Sequence, residues 1–231
     1  VRIKNSFKKK IIIDDSSATR KYFDLSLNPL IHNVAKFKKS HIGFKNLILP
    51  AFFTQKKFTE KRNNIFVFFG GYDAKNITLK VVKILNNLPI QLNLIIHDSL
   101  KEKIKKIYLR KNVLFFNNSN YLKLLQSSNI AIIAGGITLF DSIYFNKRII
   151  CIPQYKHQEI NAKKIYVKKA INLIKVNDKN FKDLLIKTFV NMYKNKKMKQ
   201  QIKVIQNRII NTAMLKKTFK LITNLYEQSK S

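Results

Sequence analysis

A doubly wound α/β fold around a parallel sheet is what this sequence predicts, on three observations. From residue 64 onward, short apolar runs alternate with stretches of helical periodicity. The apolar runs are near-continuous, the pattern of strands covered on both faces. Four of the chain's five glycines also stand as two pairs, Gly70-Gly71 and Gly135-Gly136, each between an apolar run and a helix.

The elements follow in order. "NIFVFF" (64–69) reads as a buried strand, and 75–87 as a helix with Ile77, Val81, Val82, Ile84 and Leu85 on one face. Then come "QLNLIIH" (strand), 99–109 (helix), "NVLFF" (strand), 119–127 (helix) and "NIAIIA" (strand). They are followed by 138–146 (helix), "RIICIP" (strand), 157–169 (helix) and "INLIKV" (strand). Strands alternating with helices imply right-handed crossovers and a parallel sheet. The tail, 180–228, reads as two or three Lys-rich amphipathic helices, with Leu184, Leu185, Thr188, Phe189 and Met192 facing the sheet. Before residue 60, "KKIIIDD" (9–15), "YFDLSLN" (22–28) and "NLILP" (46–50) read as short strands, and 54–64 as a polar linker. Residues 1–60 are therefore expected to be the remnant of an N-terminal α/β domain and its linker. Residues 61–231 are expected to form a Rossmann-like domain with a helical tail.

Composition sets the outer limits. Of 231 residues 45% are hydrophobic, with 17 Phe and 9 Tyr, which supports a sizeable core and argues against disorder. No apolar stretch reaches the ~20 residues needed to span a bilayer. The apolar run at Ile11 to Ile13 is too short for a signal peptide. The first residue is Val, so the chain is expected to be a fragment. A single cysteine, Cys151, leaves no internal disulfide and no Cys-based zinc site, and suits a reducing cytoplasm. None of the four histidines (His32, His41, His97, His157) pairs with Cys or carboxylates at metal-ligand spacing, so no metal and no cofactor are expected. The net charge of +34 has two readings, an anionic partner or a compositional bias. Only six of the 46 basic residues are Arg, the usual choice for bidentate phosphate and base recognition, and the lysines are spread over every expected helix. Bias is the better reading, and no specific nucleic-acid partner is expected.

The glycine pairs fall at the carboxyl edge of the sheet, where doubly wound folds bind ligands. Glycine lets the backbone turn tightly and approach a ligand with no Cβ in the way. The helix that follows offers free N–H groups and a positive dipole end. One such turn would be ordinary strand-to-helix geometry; two on neighbouring crossovers favour phosphate binding. Asp141, one turn into the helix after Gly136, either accepts from a ribose diol or is a first-turn acid favoured by the dipole. Gln158 and Asn161, in "KHQEINAKK", either hold sugar hydroxyls or cap their helix.

"FFGGYDAKN", "AIIAGGITLFD" and "HQEINAKKI" together resemble the nucleotide-sugar-binding half of the GT-B superfamily. More narrowly, they resemble the UDP-sugar hydrolase of pseudaminic acid biosynthesis and its spore-coat polysaccharide relatives. "IIIDD", "FDLSLNP" and "IGFKNLILPAFF" are similar to the end of that family's first domain. The resemblance implies a UDP-linked amino sugar as ligand, with Gly135, Gly136, the Ile137 backbone and Thr138 on the diphosphate. It places Gly70, Gly71 and Asp73 in the same site, Asp141 where the family has a ribose-binding glutamate, and Gln158 and Asn161 at the sugar. Ile137 stands where the family has a small hydroxyl residue. The family's histidine-bearing catalytic loop has no counterpart, so no catalytic residue is assigned. A sugar transferase and a non-catalytic binding module are the alternatives.

Overall fold

The computed structural model describes residues 9–15, 17–30, 40–53, 58–71, 73–107, 110–117 and 119–229. Its first strands, β1 (Ile11–Ile13), β2 (Leu25–Asn28) and β3 (Ser40–Ile42), form a small parallel sheet in that order. The second sheet begins with β4 (Lys61–Phe68), α1 (Ile77–Asn86), β5 (Asn93–His97), α2 (Lys101–Lys105), β6 (Asn112–Phe116) and α3 (Tyr121–Ser127). It continues with β7 (Ser128–Ile133), α4 (Ile137–Tyr144), β8 (Arg148–Cys151), α5 (Lys156–Tyr166) and β9 (Asn172–Leu173). Three helices close the described chain: α6 (Phe181–Lys194), α7 (Lys196–Ile209) and α8 (Thr212–Glu227).

The large sheet has the order β6-β5-β4-β7-β8-β9, and every pair is parallel. The chain runs outward from β4 to β6, then returns to the other side of β4 and runs outward again. That reversal puts the topological switch point between β4 and β7, and both glycine pairs lie just beyond the ends of those two strands. Near-continuous apolar runs are explained by the two cores they serve. Ile65 and Val67 turn to one face with Ile130 and Ile132, under α1 and α6. Phe66, Ala131 and Ile133 turn to the other, under α4, α5 and the α7–α8 corner. Each such side chain, fully withdrawn from water, contributes roughly 1.5–3 kcal/mol before entropy is counted.

The departures from the sequence reading are local. Residues 46–50 are not a strand: a 3₁₀ turn at Phe44–Asn46 precedes them, another begins at Pro50, and the third strand of the small sheet is β3 instead. Leu47 and Leu49 are buried as an alternating strand would bury them, but in the helical core rather than on a ladder. The 99–109 helix is reduced to α2 behind a 3₁₀ turn at Asp98–Leu100, with Ile104 buried in the core and Leu100 and Ile107 packed at its margin. Residues 108–109 lie outside the described residues. β9 keeps only Asn172–Leu173 of the expected strand, and on α6 Leu184 is exposed while Leu185, Phe189 and Met192 are buried.

The amino edge of the sheet is tied by buried cations. The Lys147 ammonium, 2% exposed, donates to the carbonyls of Ser128 (2.7 Å) and Gln126 and pairs with Glu60 (3.2 Å). Burial pulls its pKa down to about 8 against the opposing pull of Glu60. Arg148 donates to Asn129 Oδ1 and to the Met192 carbonyl, joining β7 and β8 to α6. Gln206 Nε2 on α7 donates to the carbonyls of Lys147 (2.9 Å) and Ala170 (3.0 Å). Gln206→Leu leaves both carbonyls without that donor, and a loss of roughly 1–3 kcal/mol is expected in urea unfolding. A change within 0.5 kcal/mol would mean water replaces the amide.

Candidate functional site

Two strand-to-helix turns meet at the switch point, and the structure gives them different fates. After β4, Gly70 takes φ +89°, a conformation glycine adopts without penalty. The next helix is then capped from within: Asp73 accepts from the amides of Ile77 (3.0 Å) and Thr78 (2.8 Å). The carboxylate occupies the place an external anion would take. After β7, the N-cap of α4 is Gly136, and among the described residues no side chain caps that helix. Of the two, α4 therefore keeps the uncapped end, the kind of helix terminus that suits an anion.

The second pair of glycines divides its work. A Cβ on Gly135 would lie 2.5 Å from the Gln158 carbonyl oxygen, so Gly135 is required by the close passage of α5. A Cβ on Gly136 would meet only Gln158 Nε2, at 4.0 Å, and its φ of −87° suits any residue. Gly136 thus leaves open space where a ligand would approach α4. The Gln158 amide faces the same space: its Oε1 accepts from the Gln154 amide (2.9 Å), which leaves Nε2 turned towards the turn as a donor. Ile137 begins α4 with a 44% exposed side chain, and Thr138 is buried behind it.

The other expected residues are enclosed. Asp141 is 1% exposed and accepts from the Tyr121 hydroxyl (3.1 Å) and the Ala51 amide (3.4 Å). Burial raises its pKa to about 6, more than those two hydrogen bonds lower it. Tyr121 is in turn held protonated well above the usual phenol range, by burial first and then by the Asp141 charge. Asn161 is wholly buried on α5, away from solvent. The structure therefore brings Gly135, Gly136, Ile137, Thr138 and Gln158 around one opening and places Gly70, Gly71 and Asp73 beside it on the neighbouring strand. Asp141 and Asn161 stand behind it.

Two contributors escaped the sequence reading. Gln154 is 4% exposed and donates through Nε2 to the Phe69 carbonyl, strapping the loop after β8 to the end of β4. The signal was there: a polar residue directly after "IICIP", at the carboxyl edge. Tyr121 joins the rings of Phe66, Phe68 and Phe116 in one aromatic wall, centroids 5.8–6.2 Å away, and nothing in the local sequence pairs it with Asp141. Of the histidines, His97 packs edge-on against Phe116 (5.1 Å), and its Nδ1 accepts from the Ser99 amide. His157 stacks on Tyr155 at 5.6 Å, and His41 lies in β3. His32 lies outside the described residues. Cys151 is fully buried, which pushes its thiol pKa up. Among the described residues no helix is long and apolar enough to cross a membrane.

Residues 64–219 match the family described as "Glycosyltransferase family 28 C-terminal domain". The chain belongs to that family. Its parallel sheet is the Rossmann-like fold of GT-B C-terminal domains. Acinetobacter baumannii MurG superposes with a TM-score of 0.63 at 14% identity, over 87% of this chain and 61% of that one. The spinosyn rhamnosyltransferase SpnG, solved with thymidine diphosphate, gives 0.55 at 15% identity over 86% and 57%. A sequence relative, the uncharacterized protein MJ1062 of Methanocaldococcus jannaschii, is 24% identical across 90% of this chain and 51% of its own length. This family 28 chain thus spans about half the length of that curated relative.

Two outcomes test the site's construction. Gly135→Ala should lower stability by roughly 1–3 kcal/mol, the range for overpacking, while Gly136→Ala stays within about 1 kcal/mol of wild type. Equal losses in urea titration would contradict the division of roles. Asp141 gives a pH signature. Its folded pKa of about 6 lies above the ordinary 3.8, so the folded chain keeps a proton that the unfolded chain releases in between. Stability contributed by this group is therefore full below 3.8 and falls as pH rises towards 6, by about 3 kcal/mol in all. Asp141→Asn keeps an acceptor for the Ala51 amide and turns an N–H to the Tyr121 hydroxyl oxygen, reversing that bond without burying a charge, so its Tm should exceed wild type at pH 7.5 and lose that margin by pH 4. A constant difference across that range would show that Asp141 does not titrate there.

Proposed function

We propose that this chain is the nucleotide-sugar-binding part of a GT-B-type protein and holds the diphosphate of a UDP-linked amino sugar on the amino end of α4. One observation carries the reading: α1 is capped by Asp73, whereas α4 is left open behind Gly136, with Gln158 Nε2 turned to the same space. A diphosphate there gains the α4 amides, the dipole end and the Gln158 amide. Gly70 and Gly71 form the neighbouring wall, and Asp73 keeps that loop in place. Thr138 backs the phosphate. Asp141 takes the ribose by exchanging the Ala51 amide for a hydroxyl, and Gln158, with Asn161 behind it, serves the sugar. The thymidine diphosphate bound by SpnG supports a nucleoside-diphosphate ligand on this fold.

The chemistry performed on that ligand has two readings. The ordered motifs "FFGGYDAKN", "AIIAGGITLFD" and "HQEINAKKI" support hydrolysis, in which water attacks the anomeric carbon while this part of the protein holds the leaving diphosphate. The family 28 match favours transfer of the sugar to an acceptor. Both use the same donor site, residues 61–231 supplying it and residues 1–60 belonging to the preceding domain and linker.

Calorimetric titration tests the assignment. Gly136→Val should remain folded and lose UDP binding, because its side chain fills the space at α4. Asp141→Ala should weaken UDP by roughly 1–3 kcal/mol, the range for a lost charged hydrogen bond. Uridine should bind wild type poorly yet still respond to the Asp141 change. Undiminished UDP affinity in folded Gly136→Val would reduce the glycines to turn residues and remove the reading.

A further inference from the structure

Beyond the 153–158 loop from the α4 turn lies a second concavity of about 280 Å³. Its walls come from three separate carboxyl-edge loops, those after β4, β8 and β9, and include Lys75, Gln154, Tyr155, Lys156, Glu159 and Lys175. The volume falls just short of the ~300–1,000 Å³ of drug-sized ligand sites, so it suits one small molecule.

Two features specify that molecule. The first is charge. Three lysines line the cavity, Lys75 and Lys175 from loops and Lys156 from the start of α5, and the one carboxylate among the lining residues, Glu159, is already paired with Lys163 at 2.7 Å. That pairing chiefly, with the fields of Lys175 and Lys156 added, holds Glu159 below the usual carboxylate range. The first turn of α5 also borders the cavity, and its N-cap residue, Tyr155, makes no side-chain capping bond. The surplus is positive and calls for an anion. Lysines abound on this protein, so charge alone would say little; the second feature is independent of it. Gln154 is buried, and its orientation is fixed because the Phe69 carbonyl can only accept, so Nε2 must face it. Oε1 then faces the other way, buried and without a donor among the described residues. A buried acceptor of this kind is completed by a ligand O–H or N–H.

We propose that this cavity binds a small hydroxylated anion, a monosaccharide carrying a phosphate or a carboxylate, with its charge among Lys75, Lys156 and Lys175 and a hydroxyl donated to Gln154 Oε1. The site is separate from the α4 turn and does not depend on the nucleotide reading.

The test is calorimetry on the full chain with four probes: glucose 6-phosphate, glucuronate, glucose and inorganic phosphate. At least one sugar anion should bind, with glucose and inorganic phosphate each clearly weaker; which sugar anion binds tells phosphate from carboxylate. Lys75→Ala and Lys175→Ala, both in edge loops away from the core, should each weaken it roughly tenfold, as expected for a lost charged contact. Lys187→Ala, a surface lysine on α6, should not. Gly136→Val should leave sugar-anion binding intact, so loss of UDP binding there and loss of sugar-anion binding here fail separately. Absence of binding by both sugar anions overturns the proposal. So does equal affinity for inorganic phosphate, or a loss in Lys187→Ala matching that of Lys175→Ala.

Discussion

Everything at the carboxyl edge depends on the pairing of β4 with β7. These strands are distant in sequence, and their pairing is a return: the chain builds β5 and β6 outward on one side before β7 closes against β4 on the other. The register Ile65↔Ile130 to Phe68↔Ile133 fixes the ends of both strands together, so both glycine turns emerge side by side. A one-residue slip would exchange the two faces, placing Phe66 where Ile65 belongs. The apolar surface on both faces of these strands makes that slip costly, and the position of the site is therefore set by core packing rather than by its own residues. In an open parallel sheet this is also the one place where neighbouring crossovers leave in opposite directions and a crevice opens.

Within that crevice, equivalent turns become different by small choices. Asp73 can curl back onto α1 because the loop after Gly70-Gly71 is long enough to bring it to the Ile77 and Thr78 amides. The loop after β7 has no such length: α4 begins directly at Ile137, and among the described residues no side chain reaches back to cap it. The space that remains is kept by α5, whose Gln158 carbonyl passes so close to Gly135 that no side chain fits there. The Gln154 backbone N–H donates to Gln158 Oε1, and the Gln154 side chain also grips the end of β4. One short loop thus spans the switch point, with Gln158 turned to the Gly136 side and Gln154 lining the cavity beside it.

Much of this was legible in the sequence, and the part that was not has a common cause. Strands such as "NIFVFF" and "NIAIIA" announce themselves because burial on both faces demands unbroken apolar runs, and the glycine pairs mark where those runs end. The family resemblance read from the ordered motifs agrees with the family 28 match at the level of the superfamily. Contacts between distant segments were invisible. The strand expected at 46–50 rested on real alternation at Leu47 and Leu49, but periodicity says which side is buried and not whether a ladder or a helix covers it. Asp141 was read from its place on α4 alone; its enclosure comes from Tyr121 and Ala51, 20 and 90 residues away. Asn161 looked available because it stands early in its helix, yet α5 turns that face inward.

The charge of the chain also acquires a structure. At the amino edge of the sheet, cations are consumed internally: Lys147 and Arg148 are enclosed by carbonyls, Asn129 and Glu60, and cost desolvation that their hydrogen bonds must offset. They hold β7, β8 and α6 in place and offer nothing to a ligand. At the carboxyl edge the reverse holds. Lys75 and Lys175 stand on loops and Lys156 at the start of α5, at the end where helix amino termini already favour negative charge. A compositional surplus of lysine is thus sorted by the fold, paired away where the sheet must be rigid and left free where the strands end. The same polarity suits α4, whose N-cap Gly136 brings no side chain to the helix amides: that helix end lies at the edge where the field favours negative charge.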